Sequence, residues 1–378
     1  MTLPYVIRTV LLLGILFSAI PLKAQQNDEL LNLLIKKNVL SQKDADSLRT
    51  ELALKEQAKR DKDKENQRGI TIGSRALQIS GLIQTEYQGF EQTGMNNAFS
   101  LHRSRLDVKG NINDNWNYEV YTEFAGTTKL LDAYTGYKIA DYLKFTAGQF
   151  KVPFSLESLT ADSQLEFIDR SQVENALAGR STDVIGNQNG RDIGIQVHGS
   201  FVKVGSHYLF DYTLGVFNGA GYDVTTDNNE NRDIAGRFSV HPVNNLVISA
   251  DFYNGIGNYG SPLKNQKRNR GGFDARYVIS RLSLQAEYDK GTDGDIKRDG
   301  WYAQVAYFVI PKKLQLAAKY DTYNPNSLLV TERTTTYYCG VNYFFNNWAK
   351  LALNYLDRRE EASQVANNIF EAQLQLTF

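Results

Sequence analysis

One cysteine, two methionines, three tryptophans and four histidines in 378 residues set the first limits. The lone thiol, Cys339, cannot close an internal disulfide, so the fold must be held by other means. The histidines, His102, His198, His207 and His241, are scattered without the spacing of a metal site. Net charge is also missing: 42 basic residues balance 42 acidic ones, which removes any electrostatic argument for nucleic acid. Beyond the N-terminus, no window is long and apolar enough for a membrane-spanning helix. What the chain has instead is 22 Tyr, 19 Phe and 29 Gly, spread through alternating segments.

The opening "MTLPYVIRTVLLLGILFSAIPLKAQQ" carries Arg8, an apolar run from Val10 to Ile20, and Leu22-Lys23-Ala24 before Gln25. This is the pattern of a secretory signal peptide, residues 1–24, cleaved after Ala24. The apolar run is short for a bilayer anchor. Removing Arg8 and Lys23 leaves 40 basic against 42 acidic residues. A periplasmic helical segment and linker then occupy 25–70, with Leu30, Leu33 and Leu34, then Leu48 and Leu52, at helical spacing. Ser41 and Asp44 resemble a capping box opening a second helix. The charged stretch after Leu54 reads as a solvated helix or linker, with a short coiled coil as the alternative.

From about residue 71 the period changes from helical to two. In "FSLHRSRLDVKGNINDNWNYEVYTEF" (99–124), Leu106, Val108 and Ile112 fall on even numbers, and Arg103, Arg105, Asp107 and Lys109 on odd ones. Trp116, Tyr118, Val120 and Phe124 then oppose Glu119 and Glu123. Alternate side chains of a strand point to opposite faces, so each such segment has one apolar and one charged face. Sixteen segments follow this rule, each long enough to cross a tilted apolar band. They are joined by turns that alternate short and long, the longest connector being 151–189. A soluble two-sheet sandwich also alternates. A closed barrel leaves no unpaired edge in lipid and accounts for sixteen consecutive hairpin strands as well. The fold class is therefore all-β: a transmembrane antiparallel β-barrel of about 16 strands over 71–378, with a short N-terminal helical segment.

At "FSLHRSRLDVKG", "LKFTAGQFKVPFSLESLTADSQLEFIDRS", "GRDIGIQVHGS" and "YTLGVFNGAG" the chain resembles the phosphate-selective porin O and P family, over roughly 76–378. The most specific pieces are Gly148 to Phe154, Phe167 to Ser171 and Arg191 to Gly194. The terminal Phe378 resembles an outer-membrane assembly signal. The resemblance implies a trimeric, sixteen-stranded porin of the Gram-negative outer membrane whose third external loop, here 151–189, folds inward. It also implies rows of basic residues that draw in anions such as phosphate or polyphosphate. Arg103 and Arg105 match such a basic pair; Lys144 faces the lumen by parity; Arg170, Arg180 and Arg191 sit in or beside the loop. Guanidinium suits phosphate because two donors engage two oxygens and the charge cannot be lost. By parity, however, the inward positions hold nine basic and fourteen acidic residues.

The function that follows is passive diffusion of small hydrophilic solutes, by size exclusion and an electrostatic filter, without cofactor or metal. A plugged structural or adhesion barrel is the alternative, since the long loop can occlude as well as narrow. An outer-membrane phospholipase is a third reading: His102 and Ser104 share the lipid-facing parity, but the facing strand offers no Asn or Asp to orient the base. "TDNNENRD" (226–233) lacks the Gly and final Glu of a calcium loop. Cys339 shares the outward parity of Tyr337, Val341 and Tyr343.

Overall fold

The computed structural model describes residues 36–37, 70–71, 77–224 and 226–378. The chain divides into two compact units, 1–62 and 63–378, and the second contains the barrel. The signal peptide and most of the helical segment expected at the N-terminus lie outside the described residues.

The barrel has sixteen strands. They are β1 (Gln78–Phe90), β2 (Ala98–Asn111), β3 (Trp116–Glu123), β4 (Lys129–Ala140), β5 (Leu143–Lys151), β6 (Arg191–Val204), β7 (His207–Phe217) and β8 (Asp233–Val243). Then come β9 (Leu246–Tyr259), β10 (Lys264–Ile279), β11 (Leu282–Asp293), β12 (Ile296–Ile310), β13 (Leu314–Asn324), β14 (Thr334–Phe344), β15 (Ala349–Glu360) and β16 (Ile369–Thr377). Every strand pairs antiparallel with its sequence neighbours, and β16 closes on β1 from Ile369↔Phe90 to Thr377↔Leu82. Closure satisfies every edge, which is what hydrocarbon demands of a backbone that crosses it. Ile70–Thr71 adds a two-residue pairing to the start of β1.

Burial runs opposite to that of a soluble protein. Phe99 and Phe273 are 80% and 66% exposed on the outside, whereas Asp289, Asp321 and Glu371 are fully buried within. The outward apolar face meets lipid and the inward polar face meets water or other polar groups. Aromatic pairs mark the outer face near its rims, among them Trp116 with Tyr137 and Trp301 with Tyr320, whose ring centres lie 4.7 and 4.8 Å apart.

The expected strands agree with the observed ones to within a few residues, with two informative exceptions. Connectors expected over 255–271 and 291–299 are largely strand: β9 runs to Tyr259, β10 starts at Lys264, and β11 and β12 meet across 294–295. Beyond the bilayer the outward face has no reason to stay apolar. Segments such as "KNQKRNR" therefore lose the alternation while keeping the ladder. The other correction concerns His102. Arg103 pairs with Gln84 but Leu101 pairs with Thr85, so a bulge at His102 shifts the parity. His102 turns inward, its Nδ1 against Glu86 and 3.2 Å from Gln373 Nε2, while Ser104 pairs opposite Ile83 on the outer row.

Candidate functional site: a loop seated in the barrel

Between β5 and β6 the chain leaves the wall for 39 residues, 152–190. Two short helices form in it, α1 (Leu156–Leu159) and α2 (Gln172–Leu177). Each begins at a serine whose hydroxyl accepts a backbone N–H: Ser155 from Ser158, and Ser171 from Glu174. Further N-terminal donors reach acids of the barrel wall. Ser155 N donates to Asp251 at 3.1 Å, Leu156 N and Glu157 N to the two oxygens of Glu287 at 3.0 and 3.1 Å, and Gln172 N to Asp321 at 2.8 Å. Hydrogen bonds of this kind contribute about 0.5–1.5 kcal/mol each. Acidic residues that looked surplus in the sequence are thus engaged beneath the loop.

Apolar contacts complete the seat. Phe154, Val173, Ala176 and Leu177 pack with Phe150, Phe217, Ala235, Tyr253 and Tyr302. Phe167 packs with Ala306, Ala317, Tyr338, Leu356 and Ile369. Lys319 Nζ sits 4.5 Å from the Tyr338 ring centre and donates to the Asp169 carbonyl at 3.2 Å. At the far end, Asn342, Lys350 and Gln375 donate to the carbonyls of Glu166, Leu165 and Ser163. On the return, Asp183 receives Arg268 bidentately at 3.1 and 2.8 Å. Burial opposes ionisation of Asp183, but Arg268 and Arg270 outweigh it and hold its carboxyl at about 2. Burial likewise opposes ionisation of Glu157 and Asp162. Lys319 and Arg170 keep Glu157 below the usual carboxylate range, and Arg103, Arg105 and Arg170 keep Asp162 well below it.

The loop therefore packs against the lumen wall of β7–β16, and at Phe150 against the end of β5. On the other side lies a cavity of about 620 Å³, bounded by β1–β6 and by Leu159, Ala161, Asp162 and Ser163 of the loop. Its charged lining is balanced: Asp107, Asp114, Glu119, Asp132 and Asp162 against Lys109, Lys138, Lys144, Lys151 and Arg191.

The structure brings five of the six sequence-predicted basic residues into one connected region. Arg103, Arg105 and Arg170 converge on Asp162: Arg103 Nη2 at 3.3 Å, Arg170 Nη2 at 2.8 Å, and Arg105 Nη1. Arg105 Nε also donates to Glu123 at 2.6 Å. Arg191 grips Asp132 bidentately at 2.9 and 2.7 Å. The Tyr121 ring lies between Arg105 and Arg191, 5.6 and 5.9 Å from their guanidinium carbons. Arg180, within the loop, is paired with Glu174 and donates to the Ser158 carbonyl at 3.0 Å. Lys144 stands apart on the cavity wall, opposite His198 in register.

Sequence reasoning missed Asp162, Glu123, Tyr121 and Lys151. In the sequence Lys151 opens the long connector and lies in the Gly148–Phe154 motif without a role; the structure makes it the last residue of β5, and its Nζ donates to the carbonyls of Ser158, Leu159 and Thr160 at 2.8, 3.2 and 3.1 Å. Among the described residues, no group of three or more His, Cys, Asp or Glu could hold a metal ion.

The barrel is similar to several solved structures, and at these identities the likeness concerns the fold alone. An anion-selective porin from Comamonas acidovorans matches with a TM-score of 0.61 at 15% identity, over 80% of this chain and 99% of that one. OprB of Pseudomonas putida also gives 0.61, at 12% identity, over 80% and 94%. The trimer form of the outer-membrane protein OmpT of Vibrio cholerae gives 0.57 at 17% identity, over 80% and 99%. No curated protein matches the chain. The sequence profile of the family described as phosphate-selective porin O and P matches residues 77–247 and 250–378. A closed sixteen-stranded barrel with a lipid-facing apolar surface, a polar interior and a loop seated in its lumen is an outer-membrane porin, and this chain belongs to the phosphate-selective porin O and P family.

Proposed function

We propose that this porin passes small hydrophilic anions of the phosphate class across the Gram-negative outer membrane, between loop 152–190 and the wall of β1–β6. One observation carries the reading: the two walls of the lumen do different work. The acids Asp251, Glu287 and Asp321 are engaged by backbone N–H groups under the loop. Arg191, Lys144 and Lys151 border the open side, with Arg103 and Arg105 gathered at its Asp162 edge. The cavity lining carries as many acids as bases, so the preference rests on where the cationic donors stand: gathered at the Asp162 edge of the path, they lower the barrier to anion entry there. The Comamonas acidovorans porin of the same fold is anion-selective, which supports the same preference here.

Residues 1–24 serve export, and the assembled form is a homotrimer, as the trimeric form of OmpT suggests. The pore is a passive channel to which no reaction is assigned. His102 turns toward Glu86 while Ser104 stays on the outer row, so the pair shares no geometry for hydrolysis. Single-channel recording in a planar bilayer with a KCl gradient tests the proposal. Discrete openings with a reversal potential on the anion side are expected, moving toward the cation side in Arg191→Ala. A cation-selective pore refutes the anion reading, and a silent protein refutes the open path in favour of a plugged barrel.

A further inference from the structure

Asp162 is the meeting point of three guanidiniums, and its partners set it apart from other carboxylates in the lumen. Glu123, the second acid on Arg105, also accepts the backbone N–H groups of Ser104 and Ala125, at 2.7 and 2.9 Å. Asp183 likewise accepts Gly179 N and Ile185 N. Among the described residues, the partners that bond the Asp162 carboxylate are all arginines: Arg103, Arg105 and Arg170. It opens the 3₁₀ turn Asp162–Gln164, whose preceding residue, Ala161, makes no side-chain cap. No backbone N–H of the described residues is among the hydrogen-bond donors to its carboxylate. Asp162 also lines the cavity on the open side of the loop.

Three forked cationic donors around one carboxylate form the arrangement that binds a free oxyanion bidentately. Arg103 is further fixed by Gln84, whose Oε1 accepts from Nη1 at 2.7 Å, and Arg170 by the Thr160 carbonyl at 3.0 Å. The donors are therefore held in place by partners other than Asp162. Four guanidiniums, Arg103, Arg105, Arg170 and Arg180, face three carboxylates, Asp162, Glu123 and Glu174. Without Asp162 the excess of positive charge grows from one to two.

We infer that Asp162 is a specificity-determining residue: a tethered internal anion that fills a three-arginine oxyanion site and so keeps inorganic phosphate from being held in the pore. Conduction requires binding favourable enough for entry and weak enough for exit. A carboxylate delivered by the loop at high effective concentration competes with each passing anion and enforces the second condition. This inference rests on the proposal that anions pass on the open side of the loop.

The test is Asp162→Asn, which keeps shape and removes charge. In planar bilayers under a KCl gradient, the anion-to-cation permeability ratio is expected to rise at least threefold. The phosphate concentration that half-blocks the open channel is expected to fall at least tenfold. Isothermal titration of the detergent-solubilised protein with inorganic phosphate gives a second readout that does not need channel opening. It is expected to show saturable binding at least tenfold tighter than in wild type. Permeability ratio, block and binding all within twofold of wild type overturn the inference, and so does a silent Asp162→Asn channel that binds no phosphate. Should the wild type prefer cations while Asp162→Asn still gains phosphate binding, the anion-porin reading falls and the role of Asp162 stands. Should the wild type prefer anions while the substitution changes nothing, the role of Asp162 falls and the anion-porin reading stands.

Discussion

Replacing Asp183 by Asn removes one charge from the loop anchor while leaving its shape. The native carboxyl is held at about 2, despite burial, by Arg268 and Arg270, against about 3.9 for an unperturbed aspartate. A carboxyl whose folded value is depressed contributes stability that is present above its unfolded value and lost as pH falls through its folded value. The difference of nearly two pH units corresponds to about 2.5 kcal/mol at neutral pH. If the Asn side chain mimics the protonated acid, the returning arm of the loop should open about 60-fold more often in the variant at pH 7. Linkage sets that ratio at about tenfold at pH 3 and about twofold at pH 2. The assay is hydrogen exchange of peptides spanning 179–186, read by mass spectrometry as the ratio of variant to wild-type rates at each pH. The ratio cancels the intrinsic pH dependence of exchange. Gly179 N–H, which donates to Asp183 at 2.9 Å, is the most direct reporter. A ratio that stays flat from pH 7 to pH 2, or stays below threefold at pH 7, would refute an electrostatic anchor.

Phe167 is 3% exposed and packs edge-on to Tyr338, with ring centres 5.5 Å apart. Phe167→Ala should cost about 3–5 kcal/mol of loop seating and appear as flickering current in single-channel records. A variant trace as steady as wild type would mean the second apolar cluster does not hold the loop. Gly148 has φ +133°, and a Cβ there would lie 2.2 Å from the Ala133 carbonyl oxygen and 2.7 Å from Tyr134 Cα. Gly148→Ala should therefore destabilise β5 by at least about 3 kcal/mol and lower the yield of folded barrel on heat-modifiable gels; normal yield refutes that geometry. All three tryptophans, Trp116, Trp301 and Trp348, are outward and exposed. Lipids brominated on their chains should quench most of the fluorescence in vesicles while aqueous iodide quenches little, and the opposite pattern would contradict the lipid-facing assignment.

Much of this architecture was legible in one dimension because a β-barrel in lipid is written with period two. Leu106 outside and Arg105 inside follow from their parity alone, since the pleat alternates faces without reference to the rest of the fold. The rule failed where the backbone broke the count, at the His102 bulge, and where lipid no longer demanded apolar residues, at the ends of β9 to β12. Composition and periodicity could also place the long connector and the basic residues in and beside it. They carried no signal for which acid would meet which base, because those partners lie as far apart in sequence as Arg105 and Asp162, or Glu287 and Leu156. The count of fourteen inward acids against nine bases left out Arg191, Arg268 and Arg270, which the structure buries inside the barrel, and it was misleading as a field. Only the tertiary structure sorts those acids into anchors beneath the loop, such as Asp251, Glu287 and Asp321, and partners of the arginines, such as Glu123 and Asp132. The sequence by itself determined the barrel, its strand number and its two faces, all local consequences of alternation. Where the loop seats, and hence which charges meet the open lumen, was decided by contacts between distant segments that no local pattern encodes.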